Sequence, residues 1–192
     1  PSPRLQIEGV YEMRTLTIAK PEETEYLPYY GRYVSLVQEG DILATLDRQA
    51  AETLGLLRAI PESQAGFRYA PGKWSIKELV GHIIDTERIF AYRALRFARN
   101  DRTPVPGYEQ DDYIREASFD DCLLAALAAE FESVRHASLF LFKHLHEAAW
   151  TRRGVANESE VSVRALAYII AGHELHHREI LRHRYLQTGQ AN

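Results

Sequence analysis

The last predicted helix contains two histidines, His173 and His177, that are spaced four residues apart. At about 100° per residue, both project close to the middle of the apolar arc that Ile170 and Leu181 define, so both face the core. Imidazoles at this spacing lie on one face of a helix and can bind one metal ion together. As structural residues, each would instead need its own hydrogen-bond partner inside the core. The pair alone leaves both interpretations open.

A third metal ligand is available on an earlier predicted helix, where His82 stands at the edge of the apolar face. It lies in file with Thr86, Ile89 and Arg93 at helical spacing. With the pair on the last helix, His82 completes a three-histidine set. Three neutral imidazoles suit Zn²⁺ or Ni²⁺, with Fe²⁺ or Mn²⁺ as alternatives, and they leave coordination positions for water or substrate. The alternative is an interface histidine that bonds a backbone carbonyl.

The remaining histidines are weaker ligand candidates. His176 and His183 project away from the buried arc, so they are predicted at the surface or its edge. The preceding helix has His136, His144 and His146 at positions that are predicted to be exposed or terminal. None of these is expected to bind the metal.

Residues 173–177 also match the H-E-x-x-H signature, in which two histidines bind zinc and the glutamate is the general base of a metalloprotease. Such an enzyme needs a third ligand downstream, but the short segment after His177 contains a single acid, Glu179, only two positions on, and no G-x-x-H extension. We therefore interpret the match as accidental and keep Glu174 only as a candidate catalytic base acting through water.

A di-metal carboxylate site is rejected, because only Glu174 and His177 have the Glu-x-x-His spacing.

Two further features bear on whether such a site is catalytic. Arg93 is a catalytic candidate because its guanidinium can hold an anionic substrate, and the alternative is an ion pair with Glu116 or another acid. A cleft lined by Tyr108, Tyr113 or Trp150 would favour catalysis, whereas a sealed site would favour a structural role.

Helices must position these side chains, because apolar residues recur at helical spacing from Asp41 onward and no convincing strand alternation occurs. The predicted helices cover residues 41–60, 75–99, 119–147 and 162–187. Their start signals are Asp41, the Ser75 and Glu78 capping box, the Ser118 and Asp121 pair, and Ser162. Amphipathic helices of this number and length predict an all-α fold, with a four-helix bundle over residues 41–188.

Residues 1–40 differ from the rest of the chain, because prolines and glycines punctuate them. Four tyrosines also cluster there, namely Tyr26, Tyr29, Tyr30 and Tyr33. We predict an extended, partly irregular N-terminal arm. Since the only methionine is Met13, residues 1–12 are interpreted as a tag remnant or an upstream extension.

Composition narrows the class of protein. A chain of 192 residues with 45% hydrophobic residues can bury one core, so we expect a single compact domain. The net charge of −4 and the pI of about 6.1 argue against nucleic-acid binding.

The lone Cys122 cannot form an intrachain disulfide or a thiolate-rich metal site, which favours a reducing compartment. No apolar run approaches the length of a membrane span and no signal sequence is evident, so we expect a cytoplasmic protein without membrane contacts.

Three stretches, residues 74–76, 81–88 and 171–177, resemble motifs of the DinB superfamily, in particular its YfiT-like metal-dependent branch. The resemblance covers residues 26–186. It implies an up-down-down-up four-helix bundle, often a dimer, that holds a divalent metal through three histidines corresponding to His82, His173 and His177.

The resemblance also implies a reaction class. Members of the family include S-transferases and isomerases that use bacillithiol, mycothiol or glutathione. We therefore expect a metal-dependent thiol S-transferase or hydrolase, with a small-molecule thiol and an electrophile as partners and a homodimer as the assembly. The alternative is a non-catalytic, metal-stabilised binding or dimerisation module. Nothing in the chain indicates DNA chemistry.

Overall fold

The structure is a computed structural model that describes residues 18–186. The predictions for Met13 and residues 1–12, the predicted end of the last helix at residue 187 and the predicted end of the bundle at residue 188 lie outside this range. The α-helices are α1 (Gly31–Val34), α2 (Ile42–Arg58), α3 (Glu62–Ala65), α4 (Ile76–Ala98), α5 (Gln110–Glu116), α6 (Leu124–Lys143) and α7 (Val163–Ile180). A π-helical turn, Leu181–Leu186, continues α7. Short 3₁₀ turns are Glu23–Glu25, Pro28–Tyr30, Phe119–Asp121 and Glu147–Ala149.

The four long helices α2, α4, α6 and α7 form the predicted bundle. Both α2 and α4 pack against α6 and α7, so α2 and α4 lie across the bundle from each other. Three of the predicted start signals are confirmed. The side chains of Asp41 and Ser162 accept backbone N–H bonds at the starts of α2 and α7, and Ser75 with Glu78 forms the capping box of α4.

The start of α6 was predicted wrongly. Ser118 precedes a 3₁₀ turn and makes no side-chain cap, and α6 begins only at Leu124. The backbone N–H of Leu124 donates instead to the Glu62 carboxylate in α3, at 2.9 Å. This cap comes from a residue far away in the sequence, so local spacing does not reveal it.

Two apolar clusters fill the bundle, one on each side of a polar layer. The first includes Phe97 and Phe142 and lies near the hairpin that precedes α7, and the second includes Leu57 and Leu79. Between the two clusters, α6 and α7 place buried polar side chains, among them Arg135. The histidines of interest belong to this polar layer. No helix within residues 18–186 is long and apolar enough to cross a membrane.

A small antiparallel hairpin interrupts the otherwise helical chain. Strands β1 (Arg153–Ala156) and β2 (Ser159–Ser162) pair just before α7, although the sequence showed no convincing strand alternation. The turn residues Asn157 and Glu158 both have positive φ, 51° and 61°, as a tight hairpin turn requires. Each strand has only four residues, which is too short for alternation to stand out in the sequence.

Residues 18–40 of the predicted arm form helical turns that pack on the bundle. The closest approach is at Gly172 of α7, where an added Cβ would lie 2.0 Å from the carbonyl oxygen of Tyr33. Glycine is therefore required at position 172, because any side chain would push α1 away from α7. This close packing places the ring of Tyr33 beside those of His173 and His176, with centroids 5.3 and 5.4 Å apart.

An ion pair ties the same segment to the start of α7. The carboxylate of Glu25 accepts hydrogen bonds from the Arg164 guanidinium, one of them 2.8 Å long, and Glu25 is only 3% exposed. Burial alone would raise the pKa of Glu25, but the hydrogen bonds from Arg164 and Ser162 lower it to about 2. Because this pKa lies below that of an unfolded glutamate, about 4.3, the pair stabilises the fold above about pH 4 and loses its effect as the pH falls towards 2.

We expect Glu25→Gln to lower the free energy of unfolding by about 1–3 kcal/mol at pH 7, because Arg164 loses its charged acceptor. Urea denaturation at pH 7 and between pH 4 and 2 measures the effect, and the variant should lose less stability than wild type as the pH falls. Glu23→Gln, an exposed change on the same 3₁₀ turn, is the control and should be close to neutral. Equal losses in the two variants would contradict the role of the ion pair.

Candidate metal centre

Helices α4 and α7 bring three imidazoles together in the polar layer. The Nε2 atom of His173 lies 3.0 Å from Nε2 of His82 and 3.1 Å from Nε2 of His177. The candidate ligand atoms of the three residues all lie within 4.8 Å of one another, and each residue is less than 9% exposed. The structure therefore assembles the three histidines that the sequence pointed to as one cluster.

The spacing of these nitrogens fits a shared divalent ion. Metal to nitrogen bonds of about 2.0–2.1 Å that meet at about 90–110° hold two nitrogens about 2.9–3.4 Å apart. Without a shared cation, three nitrogen lone pairs that converge at such distances would repel one another unless protons separate them. His177 Nδ1 has no hydrogen-bond partner among the described residues, so the ring is not held by a structural bond of its own.

Burial keeps the imidazoles in the neutral form that binds metals. It lowers the pKa of His82 to about 4. It also lowers the pKa of His173 and of His177 well below the usual histidine value, and the neighbouring histidines add to that shift. A neutral imidazole has a free lone pair on one ring nitrogen, which is the chemistry that a metal ligand needs.

A short chain of polar contacts leads away from His82. Its Nδ1 faces the hydroxyl of Thr86 at 3.5 Å, and that hydroxyl lies 2.8 Å from the Tyr108 hydroxyl. If Nδ1 has the proton, Nε2 is free to bind a metal and the contact to Thr86 orients the ring. The ring of Trp74 also packs on His82, with the ring centroids 4.8 Å apart. Both the Thr86 hydroxyl and the Trp74 ring therefore contact His82.

Two clefts reach the histidine cluster from different sides. The first, which we call the tyrosine cleft, has a volume of about 340 Å³ and contains His82 and His173 in its wall. Its other walls include Tyr29, Tyr30, Tyr33, Phe90 and Tyr108. The second, which we call the tryptophan cleft, has a volume of about 330 Å³ and contains His177. Its other walls include Tyr69, Trp74, Leu79, Ile180 and Tyr185. Both are of a size that small ligands occupy.

The three aromatic residues that the sequence suggested for a cleft, Tyr108, Tyr113 and Trp150, lie in different parts of the structure. Tyr108 lines the tyrosine cleft, as a catalytic site would require. Tyr113 lies outside it, with its ring 5.1 Å from that of Tyr108, and Trp150 is buried in the core against Phe142. Three cleft residues that sequence reasoning did not assign to the site are Tyr29, Tyr30 and Tyr33. Their clustering was the available signal, but only the packing of α1 on α7 shows which site they reach.

The two candidate catalytic residues lie outside the histidine cluster. Arg93 is 3% exposed, and its guanidinium donates to the carbonyl oxygen of Pro106 at 2.9 Å. The alternative for Arg93, an ion pair with Glu116 or another acid, is not found among residues 18–186, and Glu116 contacts Arg115. Glu174 is 1% exposed and lines neither cleft, since its carboxylate contacts Thr53 at 2.5 Å. Glu174 therefore lies in the core and not in a cleft that a substrate could occupy.

A buried ionic network explains the position of Glu174. Arg135 of α6 is fully buried and lies 2.7 Å from the Glu174 carboxylate. It also donates two hydrogen bonds to Glu87 of α4, at 2.9 and 2.8 Å, and one to the carbonyl oxygen of Leu46 in α2. One guanidinium thus joins all four long helices next to the histidines. Sequence reasoning missed this network, although Arg135 stands in file with apolar Phe131 on α6.

The other histidines agree with their predicted positions. His176 is half-buried at the edge of the cluster, with its ring 5.4 Å from that of Tyr33. His183 is exposed and contacts Glu179, and the histidines of α6 and of the segment after it are exposed as well. None of them joins the group of converging ligand atoms.

Comparison with known proteins agrees with this architecture. The model of the DinB superfamily matches residues 45–181, a range that includes all three clustered histidines. Among solved structures, YfiT from Bacillus subtilis is 14% identical, with a TM-score of 0.67 over 90% of this chain and 94% of that chain. YfiT is described as a probable metal-dependent hydrolase with an unusual four-helix bundle topology. A DinB-like protein from Bacillus subtilis, YjoA, is 19% identical, with a TM-score of 0.57 over 79% of this chain and 94% of that chain. No curated protein matches the sequence.

Proposed function

Because the chain belongs to the DinB superfamily, we propose that it is an enzyme that uses a divalent metal, bound by His82, His173 and His177, to transfer a group between small molecules. The observation that carries the proposal is the opening of the three-histidine cluster to two clefts. A structural zinc site is closed by four protein ligands, whereas three ligands beside a cleft leave room for a reacting molecule. No cysteine is part of the cluster, which fits an open site better than a closed one.

In the proposed mechanism a bound metal would activate the nucleophile, and the residues that line the clefts would surround the reacting molecules. A bound divalent ion lowers the pKa of a thiol or water molecule that it binds, so a nucleophile exists at neutral pH. Aromatic side chains line both clefts, and Tyr108 lines the tyrosine cleft with its hydroxyl 2.8 Å from that of Thr86. With the proton of His82 on Nδ1, the Thr86 hydroxyl would accept it and orient the ring so that Nε2 faces the metal.

Two substrates, a thiol and an electrophile, suit the presence of two clefts. The first residues of α5, Gln110 and Asp111, line both clefts, and each cleft has histidines of the cluster in its wall. In the proposed reaction the thiol sulfur forms a new bond to carbon, the electrophile loses its leaving group, and the thiol proton passes to solvent. Hydrolysis is the second candidate, because YfiT is described as a probable metal-dependent hydrolase and water can replace the thiol.

We expect metal-loaded protein to consume a thiol at least about tenfold faster than apoprotein, because the metal raises the fraction of thiolate. The assay mixes bacillithiol, mycothiol or glutathione with 1-chloro-2,4-dinitrobenzene and follows the aromatic thioether, which forms as chloride leaves. Parallel assays with p-nitrophenyl esters test water as the acceptor. Equal rates for holoprotein and apoprotein in both assays would favour the non-catalytic, metal-stabilised module.

A cytoplasmic homodimer is part of the proposal. A reducing compartment keeps low-molecular-weight thiols available and suits the unpaired Cys122. The resemblance to the family supports a dimer. Light scattering of the purified protein measures the assembly, and a monomer at working concentration would contradict it.

A further inference from the structure

The loop between α4 and α5, residues 99–109, is attached to the hairpin that precedes α7. The backbone N–H of Val105 donates to the carbonyl oxygen of Val155 at 2.9 Å. The backbone N–H of Asn157 in turn donates to the carbonyl oxygen of Val105 at 3.0 Å, so the loop and β1 form an isolated parallel bridge. The hairpin therefore fixes the backbone three residues before Tyr108.

Two further contacts hold the residues immediately before Tyr108. Arg93, which is buried in α4, donates to the carbonyl oxygen of Pro106 at 2.9 Å. Gly107 approaches the turn of the hairpin so closely that an added Cβ would lie 2.3 Å from Oδ1 of Asn157. These contacts position Tyr108 before any ligand enters the tyrosine cleft, as a preorganised catalytic group requires.

The hydroxyl of Tyr108 is joined to the histidine cluster through Thr86. The two hydroxyl oxygens are 2.8 Å apart, and the Thr86 hydroxyl also faces Nδ1 of His82. If the His82 proton is on Nδ1, as the proposed function requires, Thr86 can accept it and donate its own proton to the Tyr108 oxygen. The phenol proton of Tyr108 is then available to a molecule in the cleft.

The phenol of Tyr108 is in the form that donates. Burial raises the pKa of Tyr108, although the hydrogen bond to Thr86 opposes the rise, so the group is protonated at neutral pH. Other tyrosine hydroxyls of the cleft have different partners. That of Tyr30 interacts with Arg93, and that of Tyr33 interacts with Tyr29.

The tyrosine cleft has room for a substrate beside this hydroxyl. Its volume of about 340 Å³ lies within the range of small-ligand pockets. His82, Thr86 and Tyr108 all line it, so one bound molecule can contact both the Tyr108 hydroxyl and the histidine cluster.

We propose that Tyr108 is a catalytic residue, whose hydroxyl donates a hydrogen bond to the carbonyl oxygen of a substrate bound in the tyrosine cleft. The substrate is therefore an acyl or carbonyl compound, such as an ester, and not an alkyl halide. The nucleophile forms a bond to the carbonyl carbon and its proton passes to solvent, while the π electron pair moves to the oxygen. The hydrogen bond stabilises that charge until the pair returns and the leaving group departs with its own bonding pair. The reaction rests on the proposed function, whereas the hydrogen bond does not require turnover.

The kinetic test uses Tyr108→Phe, which keeps the ring and removes only the hydroxyl. With p-nitrophenyl acetate, the zinc-loaded variant should have a kcat about a hundredfold below wild type and a KM within about threefold, because the hydrogen bond strengthens as charge develops on the oxygen. Tyr113→Phe is the matched control, since Tyr113 is exposed, lies outside the cleft and has its ring next to that of Tyr108. Its kcat should stay within about twofold of wild type. Equal kcat values for wild type and Tyr108→Phe would overturn the catalytic role.

Infrared spectroscopy tests the hydrogen bond independently of activity. The probe is acetophenone labelled with ¹³C at its carbonyl carbon, bound to wild type and to both variants at equal metal content. The C=O stretching band should lie at lower wavenumber in wild type and Tyr113→Phe than in Tyr108→Phe, because a donated hydrogen bond weakens the C=O bond. Identical bands in wild type and Tyr108→Phe, or no bound acetophenone in wild type, would overturn the proposal. A shifted band without turnover by wild type would contradict the proposed function and retain the hydrogen bond.

Discussion

Replacement of His173 by alanine is expected to reduce the metal content of the purified protein from about one equivalent per chain to less than about a tenth. His173 is the central member of the cluster, because its Nε2 lies within 3.1 Å of the Nε2 atoms of both His82 and His177. Removing it leaves two imidazoles on different helices, which bind a divalent ion far more weakly than three. Elemental analysis after reconstitution with Zn²⁺ or Ni²⁺ measures the loss.

The matched control is His176→Ala, which removes a histidine from the same helix three residues away. Its ring lies at the edge of the cluster and is not one of the converging ligands, so occupancy should stay near the wild-type level. Metal content that falls equally in both variants would show that the effect comes from general disturbance of α7. Wild-type protein with less than about a tenth of an equivalent after reconstitution would exclude the metal centre itself.

The second large effect is expected for Arg135→Met, which should lower the free energy of unfolding by about 3–5 kcal/mol. The substitution leaves the carboxylates of Glu87 and Glu174 buried without their shared cation. Although burial alone would lower the pKa of Arg135, the two glutamates raise it, so the guanidinium is charged in the folded protein. Urea denaturation at pH 7 measures the loss.

Arg58→Met provides the comparison for this effect, because Arg58 also forms an ion pair with a glutamate of α6, Glu132, but does so at the surface. An exposed pair contributes about 0–1 kcal/mol, so this variant should remain close to wild type. Adding Glu87→Gln to Arg135→Met should recover part of the lost stability, because one of the two unpaired charges is removed. Similar losses for the two arginine variants would contradict the importance of the buried network.

Several features of the fold were predictable because they depend on residues that are close in sequence. Helical periodicity locates the long helices, and the capping box of Ser75 and Glu78 marks the start of α4 within a single turn. The same periodicity shows that His173 and His177 lie on one face of α7. Helical spacing alone could identify His82 as a candidate third metal ligand, but it could not show that α4 packs against α7.

Other features depend on contacts between distant parts of the chain, so only the tertiary structure decides them. Glu62 caps α6, and Arg135 joins two glutamates from different helices, although neither pairing follows a local spacing rule. The direction of Glu174 follows from that network, which turns it away from the clefts.

The amino-acid sequence by itself therefore determined which residues could bind a metal, because ligand chemistry and helix periodicity are local properties. It did not determine that the cluster opens to two clefts, or that Arg93 is buried and donates to the carbonyl oxygen of Pro106. Those features arise where α1, α5 and the hairpin pack against the bundle. Such packing depends on shape and burial summed over many residues, which no short pattern of residues encodes.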